Sequence, residues 1–383
     1  MPMRIVHISS VHPWKDPRIF LKQCRSLAAQ GFDVHLLTPD SLDEVREGVQ
    51  LHRVWNQDPA KLKKSILAKL MRPAMLFKMA RRLKPDVIHF HDPELIPWAL
   101  VHRLMGYTTV YDVHEDNKTV IYHRNYIPSY LKGLFSFLVG WIEGLAHSVM
   151  PTVLAEAYYQ HRFPKGIVVA NYHNIPVNQE EISLESGPVN AEGESHVLYT
   201  GNIEIERGVI KYLEGIRGAS NVHLHLIGRT YQQTFDETLD YQKGFENRIH
   251  WEGVGSYIPF SRILGRYAER NWLAGLVVFP YSDHYQNKLL TKFFEYMAFG
   301  IPIIYTDFSE WKKLLDPLEV GIAVNPEKPA ELVSAIDRLR GDQILWQTYA
   351  QNALHHSKQF SWEHEAVKLT TLYNELSEHH DGK

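Results

Sequence analysis

The stretch NKLLTKFFEYMAFGIPIIYTD, Asn287 to Asp307, sets Lys292 and Glu295 three residues apart among large apolar neighbours. Residues at that spacing share one helix face, so the pair looks one way while Leu289, Phe293, Tyr296 and Met297 can look toward a core. Two readings stand open: a surface ion pair worth ~0.5 kcal/mol, or a charged pair held over a ligand. A further cation, Arg207 in YTGNIEIERGV, precedes Gly208 at a helix start that follows a strand ending at Gly201. Unpaired N–H groups and the positive dipole end at such a start bind phosphate, and arginine adds bidentate charge. In the first half, HFHDPE carries His89, His91, Asp92 and Glu94, YDVHED carries His114 and Glu115, and SVHPWKDPR carries His12, Lys15, Asp16 and Arg18.

These side chains need strands and loops to bring them together. RIVHIS, the helical RIFLKQCRSLAAQ and DVHLLTP form one βαβ unit, with Gly31 as its helix stop. Apolar strand candidates follow at 86–91, 108–114, 148–153 and 166–171, so the first half reads as a doubly wound α/β domain, residues 1–177. Residues 178–195 are polar, acidic and carry Gly and Pro, and read as a linker. The strand–helix pattern restarts over 196–362 with HVLYTGNI, VHLHLIG, IHWEGV, LAGLVVFPY, IPIIYTD and VGIAV. A last helix, 363–383, is expected to pack back on the N-terminal domain. In such sheets ligands sit beyond the carboxyl ends of the strands, so two domains of this kind are expected to face a cleft lined by strand-to-helix loops.

The chain of 383 residues exceeds what a single core usually serves. One cysteine, Cys24, excludes a disulfide framework and a cysteine metal cluster, and suits a reducing cytoplasm. The opening residues lack a signal-peptide pattern and read as a first strand. Charge is split: residues 1–177 carry 22 Lys and Arg against 15 Asp and Glu, a balance of +7, whereas residues 178–383 carry −10. Much of the basic excess lies in 61–84, with nine basic side chains and no acid, interleaved with apolar ones and broken by Pro73 into two short helices. That segment reads either as a solvated helix packed on its own domain or as a peripheral anchor on an anionic membrane. The run LFSFLVGWI, 134–142, is too short to span a bilayer and reads as a buried helix or one dipping into an interface. With no zinc-finger or RNA-binding signature and an acidic second half, nucleic acid is not an expected partner.

YTGNIEIERG, followed about ninety residues later by TKFFEYMAFGIPIIYTD, resembles the donor-binding half of family-4 retaining glycosyltransferases, whose fold is GT-B: two Rossmann-like doubly wound domains. HISSVHPWKDPRIFLKQCRSLAAQGFDVHLLTP, with PDVIHFHDPELIPWAL and TTVYDVHED, resembles the acceptor half of polysaccharide-building members. The resemblance runs colinearly over nearly the whole chain. It implies a metal-independent transfer of sugar from a UDP- or GDP-linked donor to a glycan or lipid-linked acceptor, with retention and no cofactor. Glu295 would hold the ribose hydroxyls, Arg207 and Lys292 the diphosphate, and Gly201, Asn202, Gly228, Asn287, Leu290 and Thr291 would complete the donor site. His114 would stand beside the reacting sugar, with Arg207 and Lys292 as its catalytic partners. His12, Asp16, Arg18, His91, Asp92, Glu94 and Glu115 would meet the acceptor.

His89, His91 and Asp92 could also hold a metal, but on a strand the two histidines share a face while Asp92 turns away, and the chain has no D-x-D motif; acceptor binding is the expectation, with no metal. Two positions depart from the family pattern: Asn287 stands where the first carboxylate of a glutamate pair belongs, and Asn202 where an arginine does. The rival readings are therefore a nucleotide-sugar epimerase, an inverting transferase of the same fold, or a relative that binds glycan or membrane without turnover.

Overall fold

The computed structural model describes residues 2–54, 66–123, 127–174, 182, 184, 187–190, 193–269 and 271–381. It divides into two compact units, Met1–Asn174 with Trp362–Lys383, and Ile175–Ser361. Much of the 178–195 stretch read as a linker lies outside the described residues.

The first unit is built on an eight-stranded sheet in the order β3-β4-β2-β1-β5-β6-β7-β8. Its strands are β1 (Arg4–Ile8), β2 (Asp33–Thr38), β3 (Glu44–Arg46), β4 (Val49–Arg53), β5 (Val87–Phe90), β6 (Thr108–Val113), β7 (Thr152–Leu154) and β8 (Ile167–Val168). All neighbours are parallel except β3 and β4. A parallel sheet is covered on both faces, which explains why the strands read as nearly continuous apolar runs. In β1, Ile5 packs into one core with Phe20, Leu36 and Val87, and Val6 into the other with Phe77, Ile88 and Tyr111. The Trp362–Asp381 helix closes the Ile5 side with Trp362, Leu369, Leu372 and Tyr373.

Two local expectations change. The helix Ile66–Arg82 runs through Pro73 instead of breaking there; proline removes one N–H bond, and Leu76, Phe77 and Ala80 anchor the following turn in the core. Of its basic residues with described side chains, Lys78, Arg81 and Arg82 are exposed and Arg72 is half-buried, while residues 61–65 of the basic stretch lie outside the described residues. Residues 148–149 end a long helix, Ser129–Val149, leaving only Thr152–Leu154 as strand. That helix buries Ser136, Glu143 and Ala146 and turns its apolar stripe outward.

The second unit holds a six-stranded, wholly parallel sheet in the order β11-β10-β9-β12-β13-β14. The strands are β9 (Ser195–Thr200), β10 (Val222–Thr230), β11 (Ile249–Val254), β12 (Ala274–Val277), β13 (Ile303–Thr306) and β14 (Gly321–Val324). β9 lies in the middle, so the loop leaving it is bounded by those leaving β10 and β12. The two-part α/β organisation expected from the sequence is the one observed.

Candidate functional site

In the second unit, four segments meet at the carboxyl end of β9. Gly201 leaves the strand with φ of +96°, and a Cβ on it would lie 2.8 Å from the Lys292 Nζ. Gly228 approaches so closely that a Cβ there would stand 1.9 Å from the Gly201 carbonyl oxygen. Both positions therefore require glycine, and they leave a backbone floor beneath the ammonium group. The turn Ile205–Arg207 ends at Gly208 in the left-handed region, after which the helix Val209–Gly218 begins.

Lys292 comes from the first turn of the helix Thr291–Ala298, whose N-terminus has no side-chain cap at Leu290. It is only 8% exposed, with its Nζ 5.0 Å from the centroid of the Tyr199 ring. Among the described residues no carboxylate lies within 4.0 Å of that nitrogen, so the surface ion pair is not formed. Burial, and then the nearby Arg207 guanidinium, push its pKa down to about 8. Arg207 donates from Nε to Glu204 Oε2 at 2.9 Å and keeps the rest of its guanidinium toward Tyr199 and Tyr285. Glu295, half-buried, accepts from the Tyr267 hydroxyl at 2.9 Å, which also bonds the Thr200 hydroxyl at 2.6 Å. Two cations, an uncapped helix start and a carboxylate thus gather over one glycine floor: a set suited to a diphosphate with a neighbouring diol. Leu290 and Thr291 form the helix entry and Asn287 precedes it, all half-buried, while Asn202 is exposed and receives the Tyr199 hydroxyl on its backbone carbonyl at 2.9 Å.

In the first unit the loops after β1, β5 and β6 form a second cluster. Asp92 accepts from Ser9 Oγ at 2.8 Å and Ser10 N at 2.6 Å, and Glu94 accepts from Ser10 Oγ at 2.7 Å. His12 bridges two carboxylates, with Nδ1 3.1 Å from Asp16 and Nε2 3.5 Å from Asp92. Its own burial works against protonation, but the bond to Asp16 and the charge of Asp92 prevail and raise its pKa. The His12 ring lies 5.0 Å from that of His114, and Glu115 beside it is exposed.

Arg18 is differently placed. Its side chain is buried and bidentate to Asp112, Nε to Oδ2 at 3.0 Å and Nη2 to Oδ1 at 2.7 Å, while Nη1 donates to the Val169 carbonyl at 2.8 Å. It holds the loop from within. Asp112 also takes Gln23 Nε2 at 2.7 Å, His91 Nδ1 at 3.1 Å and His114 Nε2 at 2.9 Å. Burial would raise this carboxyl, but Arg18 and the two imidazoles hold it well below the usual carboxylate range.

Sequence reasoning missed Tyr199, Tyr267, Asp112 and His7. Asp112 had a usable signal, since it lies two residues before His114 and so shares its strand face. His7 interrupts the first apolar run, and its register partner is His89.

Comparison with known proteins is consistent along the chain. Residues 18–162 match the profile described as Glycosyltransferase Family 4, and residues 194–342 that of Glycosyl transferases group 1. Alpha-D-kanosaminyltransferase of Streptomyces kanamyceticus is 28% identical over 181 residues, 46% of this chain. The chain spans 42% of the length of that relative. Sucrose-phosphate synthase from Thermosynechococcus elongatus aligns with a TM-score of 0.69 at 18% identity, covering 98% of this chain and 99% of that one. HepE of Anabaena, in complex with UDP and glucose, aligns at 0.69 with 13% identity, over 97% and 100%. The catalytic domain of starch synthase IV from Arabidopsis thaliana, bound to ADP and acarbose, aligns at 0.66 with 13% identity, over 98% and 99%. At such identities the solved structures establish likeness of fold.

Proposed function

The chain belongs to glycosyltransferase family 4, and from that membership we propose that it moves a sugar from a nucleotide diphosphate sugar to a hydroxyl of a glycan or lipid-linked acceptor, retaining anomeric configuration. The observation that carries this reading is Lys292 over the Gly201–Gly228 floor, with Arg207 and Glu295 close enough to act on its charge. In the reaction the bond between the anomeric carbon and the diphosphate oxygen breaks, and the leaving group takes the electron pair. Lys292, Arg207 and the N–H groups at the Thr291 helix start stabilise the charge that develops there. The acceptor oxygen bonds to the same face of the sugar, and its proton passes to the departing phosphate. Glu295 fixes the donor through the ribose hydroxyls. His114 attends the reacting sugar, with His12, Asp16, Asp92, Glu94 and Glu115 on the acceptor side and Arg18 positioning them.

Incubation with UDP- and GDP-sugars tests this directly. Slow release of free nucleotide from one of them is expected, and failure to bind any nucleotide would leave only the non-catalytic reading. Glu295→Ala and Arg207→Ala should each weaken nucleotide binding at least tenfold, or ~1.4 kcal/mol, by calorimetric titration; unchanged affinity removes the assignment.

We also infer that the first unit docks on an anionic lipid surface, through a different segment from the basic stretch 61–84. On the helix Ser129–Val149, Tyr130, Leu134, Phe137, Trp141 and Leu145 recur at helical spacing and all are exposed, Tyr130 by 82% and Trp141 by 62%. Glu143, the one acid of this helix, is buried against Arg162. The helix Ile96–Leu104 exposes Trp98, Val101 and Leu104, again with no acid. An apolar stripe with interfacial aromatics, an exposed Lys118 and no exposed carboxylate on either helix suits the headgroup boundary of a negatively charged bilayer. No described helix is long and apolar enough to cross one. The protein should cosediment with phosphatidylglycerol-containing vesicles, and Phe137→Glu with Trp141→Glu should cut that binding at least tenfold. Wild-type protein left in the supernatant, or a double variant that binds equally, defeats the inference.

A further inference from the structure

Tyr267, in the last turn of the helix Phe260–Ala268, brings a buried hydroxyl against the Glu295 carboxylate, with Thr200 and Tyr296 buried beside it. Each hydroxyl has one proton to give, so the direction of the network follows from its end. A carboxylate only accepts, so Tyr267 donates to Glu295 Oε2 at 2.9 Å. Its own oxygen then receives the Thr200 Oγ1 proton across 2.6 Å. The Thr200 N–H donates to the Tyr296 hydroxyl at 3.2 Å, and that hydroxyl stands 3.5 Å from Thr200 Oγ1, which takes its proton. Every hydroxyl is thus used once as donor and once as acceptor.

The chain starts on the backbone of the residue before Gly201 and ends on Glu295, so it ties the carboxylate to the glycine floor. Among the described residues no other hydrogen-bond donor meets that half-buried carboxylate, which keeps Oε1 for a ligand. The sheet makes room for the arrangement. A Cβ on Gly275 of β12 would stand 2.4 Å from the Tyr296 ring, and the Tyr267 ring meets that of Tyr296 edge-on with centroids 5.7 Å apart. Both hydroxyls are held by rings with no space to swing away.

We propose that Tyr267 is a positioning residue for the donor: acting through Glu295, it sets the carboxylate in the orientation that receives the ribose diol before the nucleotide arrives. The inference rests on the donor-site reading given above. A glutamate side chain turns about several bonds, and a ligand that has to order it binds more weakly; ordering completed during folding is not subtracted from binding. A hydroxyl that merely satisfied its neighbours in the core would influence every ligand alike. One that sets Glu295 influences only ligands with ribose hydroxyls.

The test titrates UDP and GDP, and the 2′,3′-dideoxy form of each, into the full chain by calorimetry, with Tyr267→Phe, Glu295→Ala and the double variant beside the wild type. The wild type should bind one of the two nucleotides at least tenfold tighter than its dideoxy form. Tyr267→Phe removes one oxygen and keeps the ring; it should fold with an unchanged circular dichroism spectrum and lose about tenfold in affinity for the nucleotide and nothing for the dideoxy form. Thr200→Val breaks the chain one link earlier and should reproduce that pattern. In the Glu295→Ala background, Tyr267→Phe should bring no further loss. A loss equal for both ligands, a loss that persists without Glu295, or full wild-type affinity in Tyr267→Phe overturns the positioning role while the donor site stands. Wild-type protein that binds neither nucleotide, or binds the dideoxy forms as tightly, ends the ribose assignment of Glu295 and this inference with it.

Discussion

Replacing Lys292 by methionine is expected to weaken nucleotide diphosphate binding at least a hundredfold, or ~2.7 kcal/mol, while raising the melting temperature of the protein. The two effects share one cause. An ammonium group whose pKa falls from 10.5 to about 8 on folding is held charged at a cost of roughly 3 kcal/mol at neutral pH. The folded state binds fewer protons than the unfolded state between those two values, so stability should climb as pH rises through that window, and the whole penalty is carried below it. Methionine is unbranched and one atom shorter than lysine, and has no charge to desolvate. A recovery of even 1 kcal/mol corresponds to roughly 3 °C in a domain of this size. A bound diphosphate does the opposite, restoring a partner to the cation. Wild-type affinity for UDP or GDP should therefore fall as pH passes through about 8, and the methionine variant should lose that dependence. Calorimetric titration across this range, with thermal melts of both proteins, checks each half. A variant that binds as well as wild type ends Lys292's role in the donor site.

Asp112→Ala should be the most damaging single change in the first unit, costing about 3–5 kcal/mol, because it strands a buried guanidinium. Arg18 would keep only the Val169 carbonyl, and Gln23 and two imidazoles would lose their shared acceptor. The double change Arg18→Met with Asp112→Leu removes both charges and should recover most of the loss. The half-exposed Arg207–Glu204 pair provides the contrast, since removing Glu204 should cost no more than ~1 kcal/mol. Urea unfolding followed by circular dichroism separates these cases. If the alanine variant unfolds at the wild-type midpoint, the pair has no such weight.

The β-strands that build both sheet centres were legible because each is an apolar run bounded by turn residues, and their order in the chain fixed the α/β class. The β3–β4 hairpin was not: Glu44–Arg46 and Val49–Arg53 are short, charged and at a sheet edge, with little apolar signal to read. For Ser129–Val149 the sequence left two readings, buried or dipping into an interface, and the exposed stripe removes the first, since an apolar helix declares its amphipathic period but not whether anything covers it. Lys292, Glu295 and Arg207 were readable from local motifs. Tyr267 and Tyr199, which shape their surroundings, come from distant segments whose approach only the folded sheet creates. The same holds for His89, whose Nδ1 lies 2.6 Å from the hydroxyl of Tyr373, 284 residues along the chain.

That last contact bears on how the protein is made. Ala170 N donates to Glu365 at 2.7 Å and Trp362 Nε1 to Ser26 Oγ at 2.7 Å, so the first unit borrows its final layer from a helix encoded after the second unit. A ribosome delivers those residues only after the intervening unit. The nascent first unit must wait, one hydrophobic flank bare, until the intervening unit of 175–361 has been synthesised, and any stop codon before Trp362 should yield a product that chaperones hold and proteases clear.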